Sequence, residues 1–143
     1  MTKTSMSLLA VACALALSAC GGQPEAPHAE AAASSSAGLP AGNIDAGKTL
    51  ANAKGAATGQ ACVDCHGADG NTPLDATYPK LGGQYADYLA WSLQAYRDGS
   101  RAGTGTTDLM ATQAKGLTDQ QIADLAAFFG SQQGQLRDLQ HAY

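Results

Sequence analysis

The chain has 143 residues, eight basic against twelve acidic side chains and a formal net charge of −4. That length suits one domain, and the acidic residues are scattered, with no basic patch or stripe of the kind that binds nucleic acid. From residue 44 onward Ile44, Val63 and Ile122 are the only β-branched aliphatics, and Phe128 and Phe129 the only phenylalanines; this inventory argues against a sheet and leaves an all-α fold with a thin apolar core.

Residues 1–19 read as an export signal, with Lys3 at the positive start and a short apolar run from Leu8 to Leu17. That run is too short to span a bilayer alone. It closes on Leu17-Ser18-Ala19-Cys20, which resembles the bacterial lipobox, where the cysteine is acylated and becomes the mature N-terminus. An ordinary signal peptide cut after a small residue is the alternative, and it would leave Cys20 as a reactive thiol in an exported protein. Cys13 is the poorer acylation candidate, because apolar residues continue on both sides of it. Residues 20–43 shift to Gly, Pro, Ala, Ser and Glu without an apolar period, a composition that does not order itself. As a coil of about two dozen residues this tether spans roughly 25–30 Å. An acyl chain plus a leash holds a protein at a membrane surface, here the periplasmic side of a bacterial envelope. Without Lys3 the balance is seven basic to twelve acidic residues, a net charge of −5, which weakly suggests a basic patch on a partner.

The folded unit is then 44–143. Asp45 is placed to cap a first helix running to about Lys54, with Gly55 as its stop and Gly47, Leu50 and Ala51 on one face. A loop containing Gly59 leads into Cys62-Val63-Asp64-Cys65-His66. Two thiols three residues apart fall on the same side of a helical turn, and an imidazole follows at once. This is the spacing that attaches a c-type haem: each sulfur adds to one vinyl group and the histidine coordinates iron. A structural zinc site would need four ligands, and the other cysteines, Cys13 and Cys20, belong to the leader. A thioredoxin-like dithiol would want a βαβ setting, for which strands are lacking. A plain Cys62–Cys65 disulfide leaves His66 unexplained.

Gly67 and Gly70 break the chain after the motif, and Tyr78-Pro79-Lys80-Leu81 reads as an extended stretch. Gln84 to Arg97 is the clearest long helix, with Tyr85, Leu89, Leu93 and Tyr96 as a core-facing stripe and Gly99 as its stop. Trp91 falls off that stripe, either at a haem edge or on the surface. Ser100 to Asp108 reads as a Gly/Thr-rich loop. Thr118-Asp119-Gln120-Gln121 forms a capping box for a last helix whose stripe is Ile122, Leu125, Ala126 and Phe129, with Phe128 beside it. Leu136 and Leu139 are candidates for a final docked turn.

A haem protein that only passes electrons keeps both axial positions filled. Met1 and Met6 leave with the leader, so Met110 is the only thioether of the mature chain; its alternative role is a gap-filling core methionine. His28 in the tether and His141 near the end are awkwardly placed rivals. His66 also needs an acceptor for its other ring nitrogen. Pro79, with its rigid φ and no N–H, is a candidate, the alternative being a proline that starts a turn. Arg97, Arg101, Lys80 and the tyrosines are unranked partners for the haem propionates.

From Asp45 to Gln132 these residues resemble the class I c-type cytochromes, nearest the short bacterial groups called c-four and c-five. The likeness rests on the Gly47 helix, Cys62 to Gly70, Tyr78 to Gln84, Met110, and Leu117-Thr118-Asp119 leading into Ile122 to Phe129. It implies a small class I cytochrome c fold of about four helices around one covalent haem c. It also implies Pro79 as acceptor from His66, His66 and Met110 as axial ligands, and Gly47 crossing closely over Leu125 and Phe128. Two departures stand out: c-four proteins are often two-haem duplications with a Pro-Met-Met type loop, whereas this chain has one unit, with Leu109 where a neighbouring Met can occur. The implied role is a monomeric electron carrier rather than an enzyme, docking briefly with envelope redox proteins between a quinol-oxidising complex and a terminal oxidase or reductase. The alternatives are a cytochrome subunit dedicated to one periplasmic dehydrogenase, or a gas-binding haem protein with an open distal site, against which Met110 argues. Because the apolar inventory is too thin to fold alone, the haem-free chain should be largely unfolded by circular dichroism. A cooperative, native-like thermal transition of haem-free protein would contradict this.

Overall fold

The computed structural model describes residues 37–134. The leader, Cys20, the tether as far as residue 36 with His28, and Leu136, Leu139 and His141 lie outside the described residues. Five helices follow one another: α1 (Ile44–Asn52), α2 (Cys62–His66), α3 (Ala86–Asp98), α4 (Thr106–Ala114) and α5 (Asp119–Ser131). Among the described residues there is no strand. Helix α5 is central: it packs on α1 and on α3, while α4 rests on α3 and α2 on α1.

Helix α5 takes that position because its apolar residues cover more than one face. Ile122, Leu125, Ala126, Phe128 and Phe129 are all buried, and the two phenylalanine rings pack with centroids 4.9 Å apart. Its start is the expected capping box: Thr118 Oγ1 accepts from the Gln121 N–H at 3.2 Å, and Gln121 Oε1 accepts from the Thr118 N–H at 2.9 Å. Two donors that the helix leaves unpaired are thereby satisfied.

The packed part of the domain begins earlier than residue 44. Leu39 is 2% exposed and belongs to the core. Ala37 O accepts from Gln94 Nε2 at 3.3 Å, and Ala41 O from Gln120 Nε2 at 3.0 Å. Residues 37–43 are therefore docked chain rather than tether. The cap of α1 shifts with them: Asn43, not Asp45, caps the helix, its Oδ1 accepting from the Ala46 N–H at 2.9 Å. Asn43 is held by its own N–H, which donates to the buried Asp124 carboxylate at 2.7 Å. Asp45 sits in the first turn instead, where a negative charge faces the positive end of the helix dipole.

Gly47 makes the α1–α5 crossing possible. A Cβ there would stand 2.0 Å from the Asp124 carbonyl oxygen and 2.8 Å from Phe128 Cβ. The expected crossing over Phe128 is there, with the Asp124 carbonyl as the nearest group, and Leu125 lines the cavity.

Two further expectations change and one open alternative closes. Tyr85 is the N-cap of α3, outside its first turn, and is 79% exposed rather than core. Trp91 is 56% exposed and its ring lies 6.4 Å from that of Tyr88, which settles it as a surface residue. Residues 106–108, read as the end of a loop, begin helix α4, which carries Met110, so the described helices number five rather than about four. Its weak apolar period hides it, and the local signals lie in its entry. Gly105 has φ +64°, Asp108 Oδ1 accepts from the Gly103 N–H at 3.1 Å, and Thr107 Oγ1 donates to Thr104 O at 2.7 Å.

Gly47→Ala should lower the unfolding free energy of the haem-loaded protein by about 2–3 kcal/mol, since backbone must move to admit the methyl. The urea midpoint reads this directly, and an unchanged midpoint would mean that α1 slides off α5 without cost.

Candidate haem-binding site

Helix α2 is one short helical stretch, and its ends are defined locally. The Ala61 N–H donates to Asp64 Oδ2 at 2.8 Å, closing the start. Gly67 ends it at φ +86°, where any Cβ would also stand 2.6 Å from the Thr72 carbonyl oxygen. Within this turn Cys62 and Cys65 are free thiols, both half-buried, and both face the same cavity. Burial pushes the Cys62 thiol up to about 11. Such a group is a poor thiolate and the opposite of an activated redox dithiol.

His66 is 7% exposed. Its Nδ1 donates to the Pro79 carbonyl at 2.9 Å; because a carbonyl only accepts, the proton sits on Nδ1 and the lone pair on Nε2. Burial lowers the imidazole pKa and outweighs the opposing effect of the Pro79 bond. The ring is therefore kept neutral, the form that ligates a metal. Tyr78 packs against it edge-on, with centroids 6.1 Å apart. The stretch carrying Tyr78 and Pro79 is pinned where Gly70 O accepts from the Leu81 N–H at 2.7 Å.

Cys62, Cys65, His66, Pro79 and Met110 all line one cavity of about 580 Å³. Its remaining walls come from α3 (Leu89, Leu93, Tyr96), α4 (Leu109) and the inner side of α5 (Leu125, Phe129). Helix α2 touches neither α3 nor α4, so Met110 reaches the cavity from a different wall than His66. Among the described residues no group of three His, Cys, Asp or Glu is placed to hold a metal ion by itself.

The walls fit a haem c. Two unpaired thiols stand on one edge, a neutral imidazole offers one nitrogen, a thioether stands on another wall, and the lining between them is largely apolar. The volume lies in the range that encloses a cofactor-sized ligand.

Sequence reasoning missed the latch on α4. Gln113, one turn after Met110, donates through Nε2 to Gln60 O at 3.0 Å, and Thr58 Oγ1 donates to Gln113 Oε1. These contacts tie the Met110 helix to the segment just before α2 across more than fifty residues of chain, and no local pattern announces them. The basic residues also separate. Arg97 pairs with Asp119 at 2.8 Å and donates to Leu117 O at 3.1 Å, whereas Arg101 and Lys80 lie on the cavity wall.

A protein-family model described as cytochrome c matches residues 44–133. Cytochrome c-554(548) of Halomonas halodenitrificans is 53% identical over 72 residues, which are 50% of this chain and 84% of that protein. Cytochrome c4 of Pseudomonas aeruginosa is 46% identical over 88 residues, 58% of this chain but 41% of that protein. Among solved structures, thiosulfate dehydrogenase of Marichromatium purpuratum in its as-isolated form superposes with a TM-score of 0.57 at 33% identity, over 64% of this chain and 20% of that one. With the family model spanning α1 to α5 and the cavity built for a covalent tetrapyrrole, the chain belongs to the cytochrome c family, as a class I c-type cytochrome related to the c4 group that binds haem c and transfers electrons.

Proposed function

We propose that the chain is a mono-haem electron carrier held to a membrane surface of the bacterial envelope, on the periplasmic side, through acylated Cys20. In this reading Cys62 and Cys65 hold the haem through thioether bonds, and His66 and Met110 are its axial ligands. The haem supplies an iron that takes up and gives back single electrons. The chain's own residues do the rest. Pro79 O fixes the tautomer and plane of His66, as the partners of ligating histidines do. Gln113 and Thr58 hold the helix that presents Met110. Leu89, Leu93, Leu125 and Phe129 keep water from the cavity. A thioether opposite an imidazole raises the reduction potential, and two filled axial positions leave no site for substrate.

The single observation behind this reading is that His66, with Nδ1 engaged at 2.9 Å by Pro79 O, and Met110 line the same cavity from separate helices. No described helix is long and apolar enough to cross a membrane. What supports attachment is the Leu17-Ser18-Ala19-Cys20 motif. Brief, small-area docking is the mode expected of such carriers, between a quinol-oxidising complex and a terminal oxidase or reductase. A second reading, a subunit dedicated to one dehydrogenase, is favoured by the likeness to part of a thiosulfate dehydrogenase. Stable co-purification with a catalytic chain would select it over the free carrier.

Met110→Ala tests the ligand assignment. The variant should lose the weak far-red absorption band of thioether-ligated ferric haem and bind carbon monoxide when reduced. Its potential should fall by a sizeable fraction of the roughly 0.8 V that axial ligands span. Spectra identical to those of the parent protein would remove Met110 from the site.

A further inference from the structure

Helix α3 leaves part of its outer surface aromatic. Tyr88 and Trp91 stand one turn apart, 45% and 56% exposed, with ring centroids 6.4 Å from each other and planes tilted by 30°. Tyr85, at the N-cap one turn earlier, is more open still. Among the described residues the other exposed large hydrophobics are Ile44 at the start of α1 and Leu74 in the loop after α2. A lone exposed apolar side chain needs no explanation, whereas three rings at one end of a helix do. Tyr88 also lines the cavity, so its side chain reaches from the cofactor site to solvent. Hydrogen bonds from Arg101 and Ser92 hold its phenol and keep that group's pKa below the ordinary range.

The size of this patch selects its occupant. Three rings of about 150–250 Å² each, exposed to these extents, offer roughly 400 Å². A stable dimer needs about 800 Å² from each partner, whereas brief redox encounters bury less than about 600 Å² a side. The surrounding charges select further. Asp87 lies one turn before Trp91, and residues four apart on a helix are neighbours. Asp98 follows Trp91 by two turns on the same side, and both carboxylates are exposed. The basic residues of this region are engaged elsewhere: Arg97 pairs with Asp119, and Arg101 donates to Ser92 and lies over the Tyr96 ring. Stiff aromatic anchors within an acidic rim suit a partner with apolar surface inside a basic one.

We propose that the Tyr85, Tyr88 and Trp91 face of α3 is where the redox partner docks, and that this partner is a one-electron protein presenting a flat apolar face ringed by lysine or arginine. Trp91 anchors the contact, Asp87 and Asp98 steer the approach, and Tyr88 leaves one side chain between the partner and the cavity. The inference rests on the carrier reading above and names the surface that the carrier uses.

Stopped-flow mixing of the ferrous full-length holoprotein with oxidised pseudoazurin, a copper protein whose apolar face is ringed by lysines, tests the assignment. Copper(II) becomes copper(I) as iron(II) becomes iron(III), one electron for one, and bleaching of the blue band reports the rate. The parent rate should fall with added salt. Trp91→Ala should slow it about tenfold, and Asp87→Asn should flatten the salt dependence. Leu74→Ala should change neither. Because Trp91 and Asp87 do not line the cavity, the potential and haem spectrum of these variants should match the parent. An unchanged rate in Trp91→Ala, or an equal loss in Leu74→Ala, overturns the proposal. So does a parent dimer, seen by sedimentation, that Trp91→Ala dissociates, since the face would then belong to a second copy. If Trp91→Ala does not accumulate with haem, the salt slope of Asp87→Asn decides. A parent protein that never reduces the copper strikes instead at the carrier reading.

Discussion

A cavity of about 580 Å³ inside a hundred-residue domain is the constraint on which the rest of this structure turns. Apolar walls of that extent left against water forgo burial that a small domain needs for its modest net stability. The chain's own side chains line that space without closing it: α5 contributes Leu125 and Phe129, α3 Leu89 and Leu93, and α4 Leu109 and Met110. A rigid, apolar prosthetic group would complete the core, and burial keeps His66 neutral.

The frame around that cavity is built from close backbone approach rather than bulk. Gly47 brings α1 against α5, and the Asp124 carboxylate accepts from both the Asn43 N–H and Gln120 Nε2. One buried acid thus joins the cap of α1, the docked chain before it and α5 itself. Helix α5 separates two environments: Phe128 meets α1, while Leu125 and Phe129 face the cavity. Displacing α1 would therefore move a wall of the site, which links an interface far from Cys62 to the site's geometry.

What could be read from the sequence was what is encoded locally. The Cys62–His66 spacing, the Thr118 capping box and the Gly99 stop each depend on residues within a few positions of one another, and each is found where expected. Illegible features depend on partners distant in the chain. Asn43 is a cap because Asp124 holds it, Leu39 is core because α3 and α5 reach it, and α4 is latched by Gln113 to Gln60 and Thr58. Arg97 and Arg101 look alike in sequence; only the fold gives Asp119 to one and the cavity wall to the other. Tyr85 fitted the helical stripe but falls at the cap, where the period no longer applies.

The chemistry assigned to the chain depends on one covalent fact: that Cys62 and Cys65 carry the cofactor. Trypsin should release residues 55–80 as a single peptide containing both thiols. Mass spectrometry of that peptide from protein purified under denaturing conditions tests the account most directly. It predicts one haem added to the peptide, with neither cysteine open to alkylation. A peptide of unmodified mass that takes up two alkyl groups would contradict it.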